Sequence, residues 1–165
     1  MHELFTKILA DGLLLPIGVI SIYVLFWKVP AKYRYDTYTR VVMAGITSYV
    51  AAKFIGALWQ PEVMRPFEKL GVDAGASSLN NPGFPSDHAL FATFLTWAVW
   101  YIARDIRLTV AMAVLTILMA TGRVLALVHT PLDVAGGMVI GSIGIIWYLH
   151  DKKFFQNPLA KKAKK

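Results

Sequence analysis

The 165-residue sequence contains no cysteine. This absence excludes disulfide bonds, thiol nucleophiles and thiolate metal sites. Charged residues are also scarce, at 16%, whereas hydrophobic residues make up 56% and the mean hydropathy is +0.52. Such a composition is typical of a membrane protein, and the length is enough for one domain. We therefore expect residues 1–165 to form a single membrane-embedded domain.

Five apolar segments of the sequence are each near the roughly 20 residues that a helix needs to cross a bilayer. They cover residues 8–27, 41–59, 89–103, 108–128 and 132–149. The third segment is short, and we expect its helix to extend back to Ser86. Because backbone polar groups must be satisfied internally in lipid, these segments predict helices. The predicted fold is an all-α, polytopic bundle of about five transmembrane helices.

Lysine and arginine are unevenly distributed between the two sides of this bundle. They concentrate between the first and second spans, between the third and fourth, and in residues 151–165. With five alternating spans these three groups share one side, which the positive-inside rule makes cytoplasmic. The N-terminus is then outside, and residues 151–165 form a basic cytoplasmic tail. The net charge of +7 is thus interpreted as a signal for orientation, and we expect no nucleic-acid partner.

Three polar clusters adjoin the apolar segments on the predicted outer side. They are Arg65-Pro66, Pro85-Ser86-Asp87-His88, and the set Arg123, His129 and Asp133. Taken singly, Ser86-Asp87 and Thr130-Pro131 are ordinary helix starts, and an arginine at a membrane edge often reaches to lipid headgroups. Charged residues at membrane depth are nevertheless costly, and by default they indicate a functional site.

Together the clusters have the parts of a phosphoryl-transfer site. Two helix N-termini open on the same side, and such ends bind anions through free backbone N–H groups. Arg65 and Arg123 carry the planar fork that suits phosphate oxygens. Asp133 follows His129 by one helical turn, so it can hold one imidazole nitrogen and leave the other nucleophilic. His88 is then available as an acid or base.

The clusters resemble the three motifs of the type-2 phosphatidic acid phosphatase superfamily of membrane phosphatases. Those motifs are Lys-x6-Arg-Pro, Pro-Ser-Gly-His and Ser-Arg-x5-His-x3-Asp. The match is to Arg65-Pro66, to Pro85-Ser86-Asp87-His88, and to Arg123-x5-His129-x3-Asp133. Their order and predicted topology also agree, and the resemblance spans residues 53–137.

This resemblance implies a role for each matched residue. His129 would attack phosphorus and form a phosphohistidine, with Asp133 orienting its ring. His88 would protonate the leaving oxygen and later activate water. Arg65, Arg123 and the helix start at Ser86 would hold the phosphoryl oxygens. No metal or other cofactor is expected, because arginines and helix ends stabilise the charge of the transition state.

The sequence departs from the family motifs at three positions. Leu58 stands where the first motif has lysine, so Lys53 is the nearest lysine and a candidate phosphate ligand. Gly122 replaces the serine before Arg123, and Asp87 replaces the glycine before His88. A Phe-Pro-Ser-Asp-His string without the first lysine is similar to the bacterial undecaprenyl pyrophosphate phosphatases. The expected enzyme is therefore an undecaprenyl pyrophosphate phosphatase of a bacterial plasma membrane, with its site facing the periplasm.

Three alternatives remain open at the level of sequence. Within the same class, the substrate is phosphatidylglycerophosphate or phosphatidic acid. A small transporter would need polar residues through the whole membrane depth, whereas here they concentrate on one side. A metal hydrolase would use the histidines together with Asp87 and Asp133, but two nearby arginines would repel the cation.

Overall fold

The computed structural model describes residues 2–79, 82–149 and 151, and every regular element in these ranges is helical. The α-helices are α1 (His2–Lys7), α2 (Leu14–Tyr23), α3 (Arg34–Leu58), α4 (Pro66–Leu70), α5 (Asp87–Ala103), α6 (Ile106–Leu125), α7 (Pro131–Gly141) and α8 (Ile146–Leu149). π-Helical turns at Ile8–Gly12 and Val24–Lys28 follow α1 and α2, and 3₁₀ turns at Ala31–Tyr33 and Ile143–Ile145 precede α3 and α8. The predicted all-α fold is confirmed.

Four helical stretches of the described chain are long and apolar enough to cross a membrane. They are Leu4–Lys28, Ala31–Leu58, Ile106–Leu125 and Pro131–Leu149, and they coincide with four of the five predicted spans. The remaining predicted span corresponds to α5, which has 17 residues and begins, as expected, directly after Ser86. The number of crossings and their orientation stay predictions. The predicted basic tail lies outside the described residues, apart from Asp151.

Helix α5 lies at the centre of the bundle, where it packs against α2, α3, α6 and α7. Its contact with α7 is especially close at Gly137, where an added Cβ would lie 2.5 Å from the Ser86 carbonyl oxygen. The Ser86 N–H donates to the Asp133 carbonyl at 3.0 Å. Small residues that allow close backbone approach are a common basis of helix packing in membranes. This contact brings the N-termini of α5 and α7 together.

Large apolar side chains cover much of the outer surface of the bundle. Leu15 is 72% exposed, Phe54 65% and Val139 69%. In water this surface would be unfavourable, whereas helices that face lipid tails expose such side chains without penalty. The described structure therefore has the surface of a membrane protein.

The segment that joins α3 to α5 is hydrogen-bonded to the turn between α6 and α7. Phe67 N–H donates to the Leu127 carbonyl at 3.0 Å, and Gly75 N–H donates to the Ala126 carbonyl at 3.1 Å. Leu127 itself has a φ of 58°, an unusual value for a residue with a side chain. These bonds hold α4 and the following loop beside the residues that lead to His129.

Candidate active site

A cavity of about 250 Å³ opens where the start of α5, the end of α6, the connection between α6 and α7, and the loop after α4 meet. Four of the predicted site residues line it: Arg65, His88, Arg123 and His129. The rest of its wall consists of Asp87, Pro85 and loop residues Ser77, Ser78, Leu79, Pro82 and Gly83. Residues that are up to 64 positions apart in the sequence, from Arg65 to His129, thus share one cavity.

Asp133 is both a helix cap and the partner of His129. Its Oδ2 accepts from the Thr130 N–H at 2.8 Å, while the Thr130 hydroxyl accepts from the Asp133 N–H at 3.2 Å. This is a capping box at the start of α7. The same Oδ2 lies 3.6 Å from Nδ1 of His129, and both side chains are buried. Since Nδ1 is turned to the carboxylate, Nε2 is on the opposite side of the ring.

The His129 imidazole lies in the connection between α6 and α7, and it is only 4% exposed. Burial lowers its pKa, and the nearby Arg123 and Arg65 lower it further, while Asp133 acts in the opposite sense. The ring is therefore neutral at neutral pH, which is the form that can act as a nucleophile.

The Arg123 guanidinium is 2% exposed and is held by two residues that the sequence analysis did not identify. Its Nη1 donates to Asp11 Oδ1 at 2.6 Å, and its Nη2 donates to the Ser77 carbonyl at 2.8 Å. The Asp11 carboxylate also accepts from Ser77, through the N–H at 2.9 Å and the hydroxyl at 2.8 Å. Nε of Arg123 is buried and has no hydrogen-bond partner among the described residues.

Arg65 approaches the cavity from the start of α4, and it is 6% exposed. Its Nη1 donates to the Val128 carbonyl at 2.7 Å, next to His129 in the chain. Burial lowers its pKa, whereas Glu68, Asp133 and Asp87 raise it. A guanidinium stays charged under such conditions, so Arg65 is a second fixed cation in the cavity.

His88 lies in the first turn of α5, and Ser86 is the residue directly before this helix. The His88 side chain is 26% exposed, and its Nε2 lies 4.0 Å from Asp11 Oδ1. Ser86 is fully buried, and its hydroxyl has no hydrogen-bond partner in the part of the chain that the structure describes. Although Ser86 does not line the cavity, its neighbours Pro85 and Asp87 do. Helix α5 therefore begins at the cavity wall.

Lys53, like Ser86, is a predicted phosphate ligand that does not line the cavity. Its Nζ donates to Asp87 at 2.9 Å and 3.1 Å, one bond to each carboxylate oxygen. Both side chains are partly exposed, at 46% and 31%. Two of the three departures from the family motifs, the displaced lysine and the aspartate before His88, thus pair with each other. The lysine therefore offsets the charge of a carboxylate that lines the cavity.

Among the described residues, no group of three or more histidine, cysteine, aspartate or glutamate side chains is placed to hold a metal ion. The donors around this cavity are instead two arginines, two histidines and a helix N-terminus. Such donors bind an anion rather than a cation.

The chain is similar in sequence to a family of known proteins. The model of the PAP2 superfamily matches residues 37–156, which is most of the chain. The chain belongs to the PAP2 superfamily, as its motifs indicated, and it is a lipid phosphate hydrolase.

Among curated proteins, the chain is similar to "Putative undecaprenyl-diphosphatase YbjG" of Escherichia coli (strain K12). The two are 27% identical over 156 residues, which cover 90% of this chain and 75% of the relative. No solved structure shows significant similarity to the chain.

Proposed function

We propose that the protein removes the terminal phosphate of undecaprenyl pyrophosphate, through a phosphohistidine on His129, at the outer face of a bacterial plasma membrane. One observation carries this proposal. A buried, neutral histidine is paired with Asp133 in a cavity that also contains two buried arginines. This is the arrangement that nucleophilic phosphoryl transfer needs: an oriented nucleophile beside fixed positive charge.

In the first step, Nε2 of His129 attacks the terminal phosphorus, and the bond from phosphorus to the bridging oxygen breaks. His88 gives its proton to that oxygen, so undecaprenyl phosphate leaves and the phosphoryl group stays on His129. Arg65, Arg123 and the N-terminal N–H groups of α5, which begins directly after Ser86, bind the phosphoryl oxygens. Most of the rate enhancement then comes from positioning and from electrostatic stabilisation of the transition state.

In the second step, His88 takes a proton from water as the water oxygen attacks the phosphohistidine. The bond between phosphorus and Nε2 breaks, inorganic phosphate is released, and His129 returns to its neutral form. Asp133 keeps the same contact with Nδ1 in both steps, so the ring does not have to reorient between them.

The choice of substrate is supported by the Phe84-Pro85-Ser86-Asp87-His88 string and by the name of the relative. It is tested by phosphate release from purified protein with four lipids. These are a polyprenyl diphosphate, a polyprenyl monophosphate, phosphatidic acid and phosphatidylglycerophosphate. We expect the highest kcat/KM for the diphosphate, with His129→Ala as the blank. A higher kcat/KM for phosphatidic acid or phosphatidylglycerophosphate would replace the proposed substrate with that lipid.

We also propose that residues 1–165 form one domain of five spans with the cavity outside, and single cysteines can test this topology. The sequence has no cysteine, so each variant carries one reactive thiol and the wild type is the blank. Val72 is 48% exposed in the loop after α4, and Tyr35 is 83% exposed at the start of α3. In intact cells a membrane-impermeant maleimide should label Val72→Cys, whereas Tyr35→Cys should react only after permeabilisation. The opposite pattern would place the cavity in the cytoplasm.

Hydrolysis is expected to continue in the presence of EDTA. The charge on the phosphoryl group is met by Arg65, Arg123 and a helix end, so the proposed steps have no place for a cation. The measurement compares the initial rate of phosphate release before and after dialysis against the chelator. Loss of activity that one divalent metal restores would instead indicate a metal hydrolase.

A further inference from the structure

The first helical stretch, Leu4–Lys28, places a carboxylate directly behind two residues that line the cavity, Arg123 and Ser77. Asp11 lies on the π-helical turn Ile8–Gly12 and contacts Arg123 at 2.6 Å. Its side chain is 24% exposed, whereas that of Arg123 is 2% exposed. π-Helical turns within longer helices frequently occur at functional sites, because they displace one side chain from the regular spiral. Asp11 is outside residues 37–156, the part that matches the family model.

A glycine directly before Arg123 allows this stretch to come close. A Cβ added at Gly122 would lie 2.6 Å from the Ala10 backbone nitrogen and 2.7 Å from the Leu9 carbonyl carbon. Both neighbours are backbone atoms, so a side chain at 122 would push the whole π-helical turn away from α6. Asp11 is the residue that follows Ala10, and its contact with Arg123 therefore depends on Gly122.

The bonds that Asp11 makes leave part of the Arg123 guanidinium available. Asp11 and the Ser77 carbonyl accept from Nη1 and Nη2, which fixes the outer edge of the fork. Nε is not used in this way, and the five N–H groups of an arginine exceed the bonds made here. Asp11 also accepts from Ser77, so it joins the first helical stretch, the loop and α6 around one cation.

We propose that Asp11 is a positioning residue that sets the orientation in which Arg123 meets the transferring phosphoryl group, and that Gly122 is required for it. This inference rests on the proposed function, because it assigns Arg123 to the phosphoryl oxygens. Without Asp11 the long arginine side chain is free to choose other rotamers, and Arg123 loses its only carboxylate partner among the described residues. Misplacement of a binding group by about 1 Å can cost up to about 100-fold in rate.

The test compares Asp11→Ala, Asp11→Asn and Gly122→Ala with the wild type. Rates are measured on whichever lipid of the four-substrate panel the wild type hydrolyses fastest. We expect Asp11→Ala to lower kcat by about 10-fold to 100-fold, with a smaller change in KM, because the arginine matters most in the transition state. Asp11→Asn keeps an oxygen acceptor for Arg123 and should restore part of the loss. Gly122→Ala should cause a similar fall in kcat although Asp11 is present.

Gly18→Ala is the matched control for Gly122→Ala. Gly18 lies on the same helical stretch, and a Cβ added there meets no atom within 4 Å, so its kcat should equal that of the wild type. The double variant Asp11→Ala/Gly122→Ala should be no slower than the slower of the two single variants, because both changes remove the same contact, that between Asp11 and Arg123. If Asp11→Ala is poorly folded by gel filtration in detergent, Asp11→Asn and Gly122→Ala carry the test.

An unchanged kcat in a folded Asp11→Ala variant would overturn the inference, and so would additive losses in the double variant. A raised kcat in Asp11→Ala would also overturn it, since the carboxylate would then act as an internal competitor of phosphate. Each of these results leaves unaffected both the substrate panel and the question of whether His129 carries a phosphoryl group. The positioning role and the proposed function can therefore fail separately.

Discussion

Replacing His129 with alanine is expected to abolish phosphate release and to prevent formation of an acid-labile phosphoenzyme. The expectation follows from the position of the ring, which is buried in the cavity and turned to Asp133 through Nδ1. The ordinary pKa of a histidine is about 6.5, and burial lowers the pKa of His129 below it. The ring therefore stays unprotonated at pH 6.5. Activity should therefore not decline through protonation of this nucleophile until the pH is below that value.

The measurement is acid quenching of protein incubated with substrate labelled at the terminal phosphorus. Wild type should carry the label, and His129→Ala should carry none. Asp133→Asn is the companion variant, because it preserves the size of the side chain while it disturbs the tautomer of the imidazole. It should remain folded and lose rate. Label on His129→Ala would show that another residue is the nucleophile.

Replacing His88 with alanine is expected to slow turnover by roughly 100-fold to 10,000-fold, the usual contribution of a general acid or base. His88 lines the cavity from the first turn of α5. Unlike His129, it is not paired with a carboxylate of α7, so we expect it to reach the leaving oxygen. The loss should be smaller for an aryl phosphate, whose leaving group needs no proton. The measurement is the ratio of kcat for a polyprenyl diphosphate to kcat for the aryl phosphate, in wild type and variant.

The two histidine variants also control for each other. With the aryl phosphate, His88→Ala should still acquire label, because attack by His129 does not require His88 in that case. Label in His129→Ala together with no label in His88→Ala would mean that the two roles are reversed. An equal loss on both substrates would assign His88 to binding of the phosphoryl group and not to proton transfer.

The helices and half of the site could be predicted because their signals are local. Apolar segments of the right length predict helices in lipid, and the predicted spans coincide with helices of the structure. His129 and Asp133 are four residues apart, and the capping box at Thr130 holds the Asp133 carboxylate beside the imidazole that precedes α7, so their pairing depends on local structure alone. The motif resemblance predicted that Arg65 and His88 belong to the same site, and both line the cavity.

The partners of Arg123 could not be predicted, because they depend on packing between distant segments. Asp11 is separated from Arg123 by 112 residues and Ser77 by 46. One signal was present, since Asp11 is the only charged residue in the apolar segment 8–27. A charge in that position indicates a functional role by default, although it does not name the partner. The pairing of Lys53 with Asp87 was missed for the same reason, as 34 residues separate them.

The short central helix has a consequence for the depth at which the cavity lies. At about 1.5 Å per residue, the 17 residues of α5 extend over about 25 Å, which is about 5 Å less than the hydrocarbon thickness of a typical bilayer. In the proposed five-span arrangement longer helical stretches surround α5, so we expect its N-terminus and His88 to lie up to about 5 Å below the headgroup plane. A lipid phosphate would then have to move down into the cavity, while its acyl or prenyl chain stays in the bilayer.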